Sequence, residues 1–136
     1  MPQVMVAGVN ILAVGTAGLA AYVLAALWYS PVLFFKAWQG AVGLSDDQAK
    51  AASRPATLVA ALALVLIGAF VFAEFLGKVT PVQGALYGFA AGLTWVAASI
   101  GINYLFEGKS LKLFAINGGY HTLEFTLIGL VLGLWH

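Results

Sequence analysis

His121 and Glu124 are the side chains best suited to chemistry, because they lie one helical turn apart inside an otherwise apolar stretch, residues 111–135. An ionisable group at mid-bilayer depth costs roughly 3 kcal/mol on insertion scales, so each must be shielded by partners or line a wet cavity. An acid and an imidazole at this spacing can share one proton and titrate as a unit. That chemistry suits proton-linked transport or the binding of a small solute. The preferred reading is plainer: a non-enzymatic helical bundle whose intramembrane polar groups hold helices or subunits together. A lipid-acting enzyme with Glu124 or Glu107 as base ranks last, since one His and one Glu are too few to ligate zinc and no H-E-x-x-H, G-x-S-x-G or phosphate-cradling glycine loop occurs. No catalytic residue, metal or cofactor is expected.

The elements that must position this pair are helices. At about 100° per residue, Asn117, Tyr120, His121 and Glu124 share one arc of the last segment; Gly118, Thr122, Gly129 and Gly133 form a small-residue face beside it. Leu123, Leu127, Leu130 and Leu134 point away, toward lipid. On the preceding segment Gly84, Gly88, Gly92, Trp95, Ser99 and Asn103 fall on one stripe, opposite Leu86, Phe89, Leu93, Val96 and Ile100. Glycines at this spacing let backbones approach closely where no hydrophobic drive acts between helices, either within one chain or between subunits. The turn Glu107-Gly108-Lys109-Ser110 joins the two segments, so Asn103 is expected to bond Asn117, with His121 near Ser99 and Glu124 level with Trp95. The result would be a polar column running from Glu107 and Lys112 to Glu124 and including Ser99, Asn103, Asn117, Tyr120 and His121. Tyr22 reads as a packing aromatic with a satisfied hydroxyl, and Glu74 as the partner of Lys78 in a helical ion pair.

Composition agrees with a membrane location. Of 136 residues 62% are hydrophobic and 8% charged, against about 25% charged in soluble domains. Four segments reach the roughly 20 apolar residues that a crossing requires, at about 10–29, 56–76, 82–106 and 111–135, which makes the chain a single all-α integral membrane domain. The first is too long for a signal-peptide core and lacks a basic residue before it. A formal charge of +1 gives no basic face for nucleic acid, and the absence of cysteine excludes disulfides and thiolate chemistry. Lys36, Lys50, Arg54, Lys109 and Lys112 fall in the first and third loops, whereas the opposite side holds only Lys78. The positive-inside rule therefore places those loops in the cytoplasm and both termini outside. Within loop 30–55, Ser30-Pro31 reads as a helix start with the helix running to Gly40, an aromatic element suited to the headgroup layer. Ser45-Asp46-Asp47-Gln48 reads as a capping box opening a second short helix. Membrane lipids and, through the glycine stripes, a second copy of the chain are the partners expected.

Two strings carry a family resemblance. Leu27-Trp28-Tyr29-Ser30-Pro31 with Phe34, Lys36, Trp38 and Gly43-Leu44-Ser45, and Asn103-Tyr104-Leu105-Phe106-Glu107-Gly108-Lys109 with Leu111, Leu113-Phe114, Ile116-Asn117 and Gly119-Tyr120-His121, together resemble the patterns of the domain of unknown function 1761 family. The resemblance spans essentially the whole chain. It implies a four-helix protein of the bacterial inner membrane and no particular activity. Both strings fall at the cytoplasmic interface, so Trp28, Tyr29, Ser30, Lys36, Trp38, Glu107 and Lys112 are expected to surround a cytoplasm-facing pocket that leads toward His121 and Glu124.

Overall fold

The computed structural model describes residues 1–135, and its architecture follows from four long helices running alternately up and down. They are α1 (Ile11–Trp28), α4 (Pro55–Leu76), α5 (Pro81–Glu107) and α6 (Leu111–Leu134), with short α2 (Phe35–Val42) and α3 (Asp46–Ala52) between the first two. The first three long helices are long and apolar enough to cross a membrane, which fits a membrane protein. The fourth, α6, carries Asn117, His121 and Glu124 and falls short of that measure. It is also the most enclosed, with Leu113, Ile116, Gly118, Tyr120, Thr122, Glu124, Ile128, Gly129 and Gly133 buried. A polar helix is tolerable at the centre of a bundle because its neighbours keep lipid from it.

Local signals fix the ends. Pro55 and Pro81 occupy first-turn positions, where a missing N–H leaves no donor unmatched. Ser45 and Gln48 form the expected capping box, and Thr80 and Gln83 form a second one. Met5–Val6 and Val9–Asn10 pair as a small antiparallel hairpin around Ala7 and Gly8, both at positive φ. Asn10 Oδ1 accepts from the backbone N–H groups of Val4 and Leu12, tying the hairpin to the start of α1. Trp135 Nε1 donates to Pro2 O at 2.8 Å, so both ends of the described chain lie on the same side of the bundle.

Two expectations are corrected here. Ser30 does not open a helix at Pro31: its Oγ donates back to Leu27 O at 2.7 Å, residues 31–34 form a turn, and α2 starts at Phe35 and stops at Gly43, whose φ of 85° suits glycine. Nor does Glu74 pair with Lys78, because α4 ends at Leu76 and Gly77, at φ 64°, carries the chain off the helix axis. Among the described residues the only ion pair is His121–Glu124.

Packing is uneven around α6. Its contact with α5 is the most extensive in the molecule, followed by its contact with α1, while α4 leans mainly on α1 and meets α6 only lightly. The glycine faces account for the first contact. A Cβ on Gly84 or Gly129 would overlap the other's carbonyl group, one on Gly88 would overlap Phe125 O, and one on Gly133 would lie 2.6 Å from Thr80 O. The glycines therefore serve approach within the chain. In α4, by contrast, only Ala69, Phe72 and Ala73 are buried, all in its second half, and residues 55–60 are exposed throughout. That helix converges on the bundle at one end and stands off at the other.

Candidate functional site

Between Gly92 and Ala97 the third long helix widens into a π-turn, with Ala98 N–H donating to Leu93 O. The extra residue shifts the phase of everything after it. The face of α5 turned to α6 runs Gly84, Gly88, Gly92 and then Ala97 and Gly101, a step of five at the π-turn where fours precede it. Trp95, Ser99 and Asn103, which uninterrupted α-helical spacing places on that face, are consequently exposed, Trp95 at 69%. Ser99 Oγ donates to Trp95 O and Thr94 Oγ1 to Ala90 O, so their hydroxyls are taken up by their own helix. Asn117 Nδ2 donates to Tyr104 Oη at 2.8 Å, one residue from the partner expected. The register is set by the glycine seam rather than by the turn, so the backbone of His121 and Thr122 lies against Gly92 and not near Ser99.

The remaining column is built mainly by α1 and α6. Tyr29 Oη donates to Asn117 Oδ1 at 2.7 Å and Trp28 Nε1 to Ile116 O at 2.9 Å. Tyr120 is buried, and its hydroxyl faces two acceptors, Ala21 O at 3.1 Å and Glu124 Oε2 at 3.2 Å. Glu124 Oε1 is 2.9 Å from His121 Nδ1. The edges of the Tyr29 and Tyr120 rings meet at a 5.6 Å centroid distance, and those of Tyr120 and His121 at 5.0 Å. No buried side-chain nitrogen or oxygen among the described residues lacks a partner, as low-dielectric surroundings demand.

The pocket expected around Trp28 and Tyr29 takes a different form. Trp28 and Tyr29 close directly onto α6, the Trp28 ring coming within 3.3 Å of where a Cβ on Gly119 would stand, and Trp38 packs edge-on against Tyr29. Ser30 bonds Leu27 O, and Lys36, Glu107 and Lys112 are exposed. The aromatic rings form a plug over the column, with the charged side chains outside it.

What the sequence did not reveal is an opening on another side. Where α4 stands off, a cleft of about 420 Å³ is lined by Tyr22 and Ala25 of α1, Ala61, Leu64, Val65 and Gly68 of α4, Val96 of α5, and Tyr120, His121, Glu124, Phe125 and Ile128 of α6. Its walls are almost wholly apolar. Tyr22 Oη is committed to Leu58 O at 2.8 Å. The His121 side chain is 32% exposed against 7% for Glu124, and His121 Nε2 has no hydrogen-bond partner among the described residues. No sequence signal marks the opening: residues 55–60 are exposed although Ala56 and Ala60 stand at the same small-xxx-small spacing as the buried Ala69 and Ala73. Among the described residues no three His, Asp or Glu side chains gather to hold a metal ion.

Comparison with known proteins gives one finding of weight. No curated protein and no solved structure matches the chain. A family model does match, over residues 12–133, from the second residue of α1 to the last turn of α6, and so covers all the elements that build the column and the cleft. The chain belongs to the family described as Protein of unknown function (DUF1761).

Proposed function

We propose that this is a multi-pass protein of the cytoplasmic membrane, crossing four times with both termini outside, whose activity is the non-enzymatic binding of a small lipid-phase molecule beside His121 and Glu124. The observation that carries the reading is the part-exposed imidazole: His121 lines an apolar cleft, with Nδ1 held by a buried acid and Nε2 without a hydrogen-bond partner among the described residues. Intramembrane ionisable groups default to functional roles when they face a cavity. The rest of the column is structural, since Trp28, Tyr29 and Tyr120 all bond from or to α1 and tie it to α6. Four crossings are supported by the length of α6 and by its antiparallel run beside α5, and the orientation by the basic residues at the α1–α4 and α5–α6 connections.

The chain has no cysteine, so single-cysteine variants report topology without background. Lys50→Cys and Lys109→Cys should react with membrane-impermeant maleimides only from the cytoplasmic side, and Lys78→Cys only from the other. For the binding role, purified protein washed in mild detergent is extracted with organic solvent and the extract weighed by mass spectrometry. The wild type should retain a near-stoichiometric apolar compound that His121→Phe loses while keeping its size-exclusion profile. Equal retention by both, or none by either, refutes the reading.

A further inference from the structure

The π-turn of α5 acts outward as well as inward. While the glycine face stays on α6, Thr94, Trp95, Ser99 and Asn103 are left on the outside of the bundle, all four exposed. Trp95, Ser99 and Asn103 follow at steps of four and so make one stripe on the surface turned to lipid. Two members of the stripe bring polar groups that the chain itself does not satisfy. Neither the Trp95 indole N–H nor the Asn103 carboxamide has a hydrogen-bond partner among the described residues.

Depth decides what can satisfy the indole. Trp95 stands about 18 Å from Glu107 and about 21 Å from Pro81 at 1.5 Å per residue, near the middle of a hydrocarbon layer about 30 Å thick. Tryptophan is otherwise a residue of the membrane interfaces, where its polar edge meets water and headgroups. Acyl chains carry no acceptor, so at this depth the N–H calls for a polypeptide group.

A second copy of the chain, inserted the same way up, supplies one. A two-fold axis along the membrane normal brings identical residues to the same depth, and such a contact forms only where a surface complements itself. This surface does. Helical side chains lean toward the N-terminus of their helix, so the Trp95 ring extends toward the level of Thr94 and Ala91. Thr94 Oγ1 gives its hydrogen to Ala90 O, which leaves its lone pairs free to accept from an indole arriving from outside. Beside it Phe75 and Leu76 of α4 and Tyr87 of α5 border a groove of about 380 Å³, open to receive the ring. Asn103 carries donor and acceptor on one carboxamide and so matches its own copy. Between Trp95 and Asn103 lie Ala98 and Ser99, small and exposed, with the Ser99 hydroxyl turned back on Trp95 O. Small residues at that point let two helices approach closely.

We propose that the outward stripe of α5 is a dimer interface. Two copies pack in parallel about Ser99, Trp95 of each entering the α4–α5 groove of the other and donating to Thr94 Oγ1, with the two Asn103 carboxamides paired. The glycine seam, occupied within the chain, takes no part, and the contact is independent of what the cleft beside His121 holds.

Because the chain has no cysteine, Ser99→Cys in proteoliposomes reports the contact directly. Mild oxidation should convert most of it to a disulfide-linked dimer, whereas Val23→Cys, on α1 and 66% exposed, should stay largely monomeric. Adding Trp95→Leu and Asn103→Leu to the Ser99→Cys chain removes the polar groups and keeps an apolar surface. Cross-linking should then fall about tenfold or more, with the helical circular dichroism of the chain unchanged. Absence of a Ser99→Cys dimer, or equal dimer formation by Val23→Cys, overturns the proposal. Cross-linking that the two leucines leave unchanged overturns the role given to Trp95 and Asn103. A wild-type chain that shows no self-contact but co-purifies one-to-one with a different membrane protein overturns the second copy as the occupant.

Discussion

The two flanks of α6 are built on opposite principles. Toward α5 the contact is backbone on backbone: Gly84 faces Gly129, Gly88 faces Phe125 O, and Gly92 faces His121 O. Toward α4 there is no comparable seam, only Phe72 edge-on to Phe125 and the nearby small residues Ala69 and Ala73. The difference leaves the His121–Glu124 pair enclosed on one side and beside a cleft on another. One flank is sealed by surfaces that admit no side chain, the α1 flank is closed by tyrosine and tryptophan, and the remaining flank opens toward lipid.

The contrast can be broken from the sealed side with the largest effect. Gly88→Leu places a branched side chain where Phe125 backbone already stands; overpacking typically costs 1–3 kcal/mol and more against backbone, so the variant should fail to accumulate as a monodisperse species in size-exclusion chromatography. Deleting Leu93 removes the extra residue of the π-turn, so the step from Gly92 to Ala97 becomes the α-helical four and Ala97, Gly101 and Tyr104 stay on the face turned to α6. The Tyr104–Asn117 bond and the Ala97–Gly118 contact should survive, so the unfolding midpoint in detergent should fall far less than for Gly88→Leu.

Away from the glycine seam the effects are smaller. Tyr29→Phe leaves Asn117 Oδ1 without the donor described above, for a loss of about 0.6 kcal/mol and at most about 1.7, the range for interhelical hydrogen bonds in bilayers. Gly68→Leu should leave stability within about 0.5 kcal/mol, since it meets an apolar cleft rather than backbone. An equal loss for Gly68→Leu and Gly88→Leu, measured in one denaturant series, would erase the distinction between the flanks.

Much of this was legible in the residues and some was not. The glycines at 84, 88, 92, 118, 129 and 133 announced a close seam because small-xxx-small spacing has a direct steric meaning. His121 and Glu124 announced themselves by their cost in hydrocarbon. Ser99 and Asn103 were misplaced because a π-turn has no strong sequence signature: nothing in Gly92-Leu93-Thr94-Trp95-Val96-Ala97 says that one residue is extra. The cleft was hidden for a related reason. It is created by where α4 does not touch, and an apolar helix carries the same sequence whether its face meets lipid, a ligand or a neighbour.

The central claim is that the buried acid is reached from lipid and not from water. It is tested most directly by comparing two carbodiimides on reconstituted protein. Apolar dicyclohexylcarbodiimide should form an acylurea on Glu124, found by peptide mass spectrometry, while a cationic water-soluble carbodiimide at the same concentration leaves Glu124 unmodified and Gly68→Leu suppresses the first reaction. Modification by the water-soluble reagent at an equal rate, or an apolar reaction that Gly68→Leu does not slow, would contradict the account.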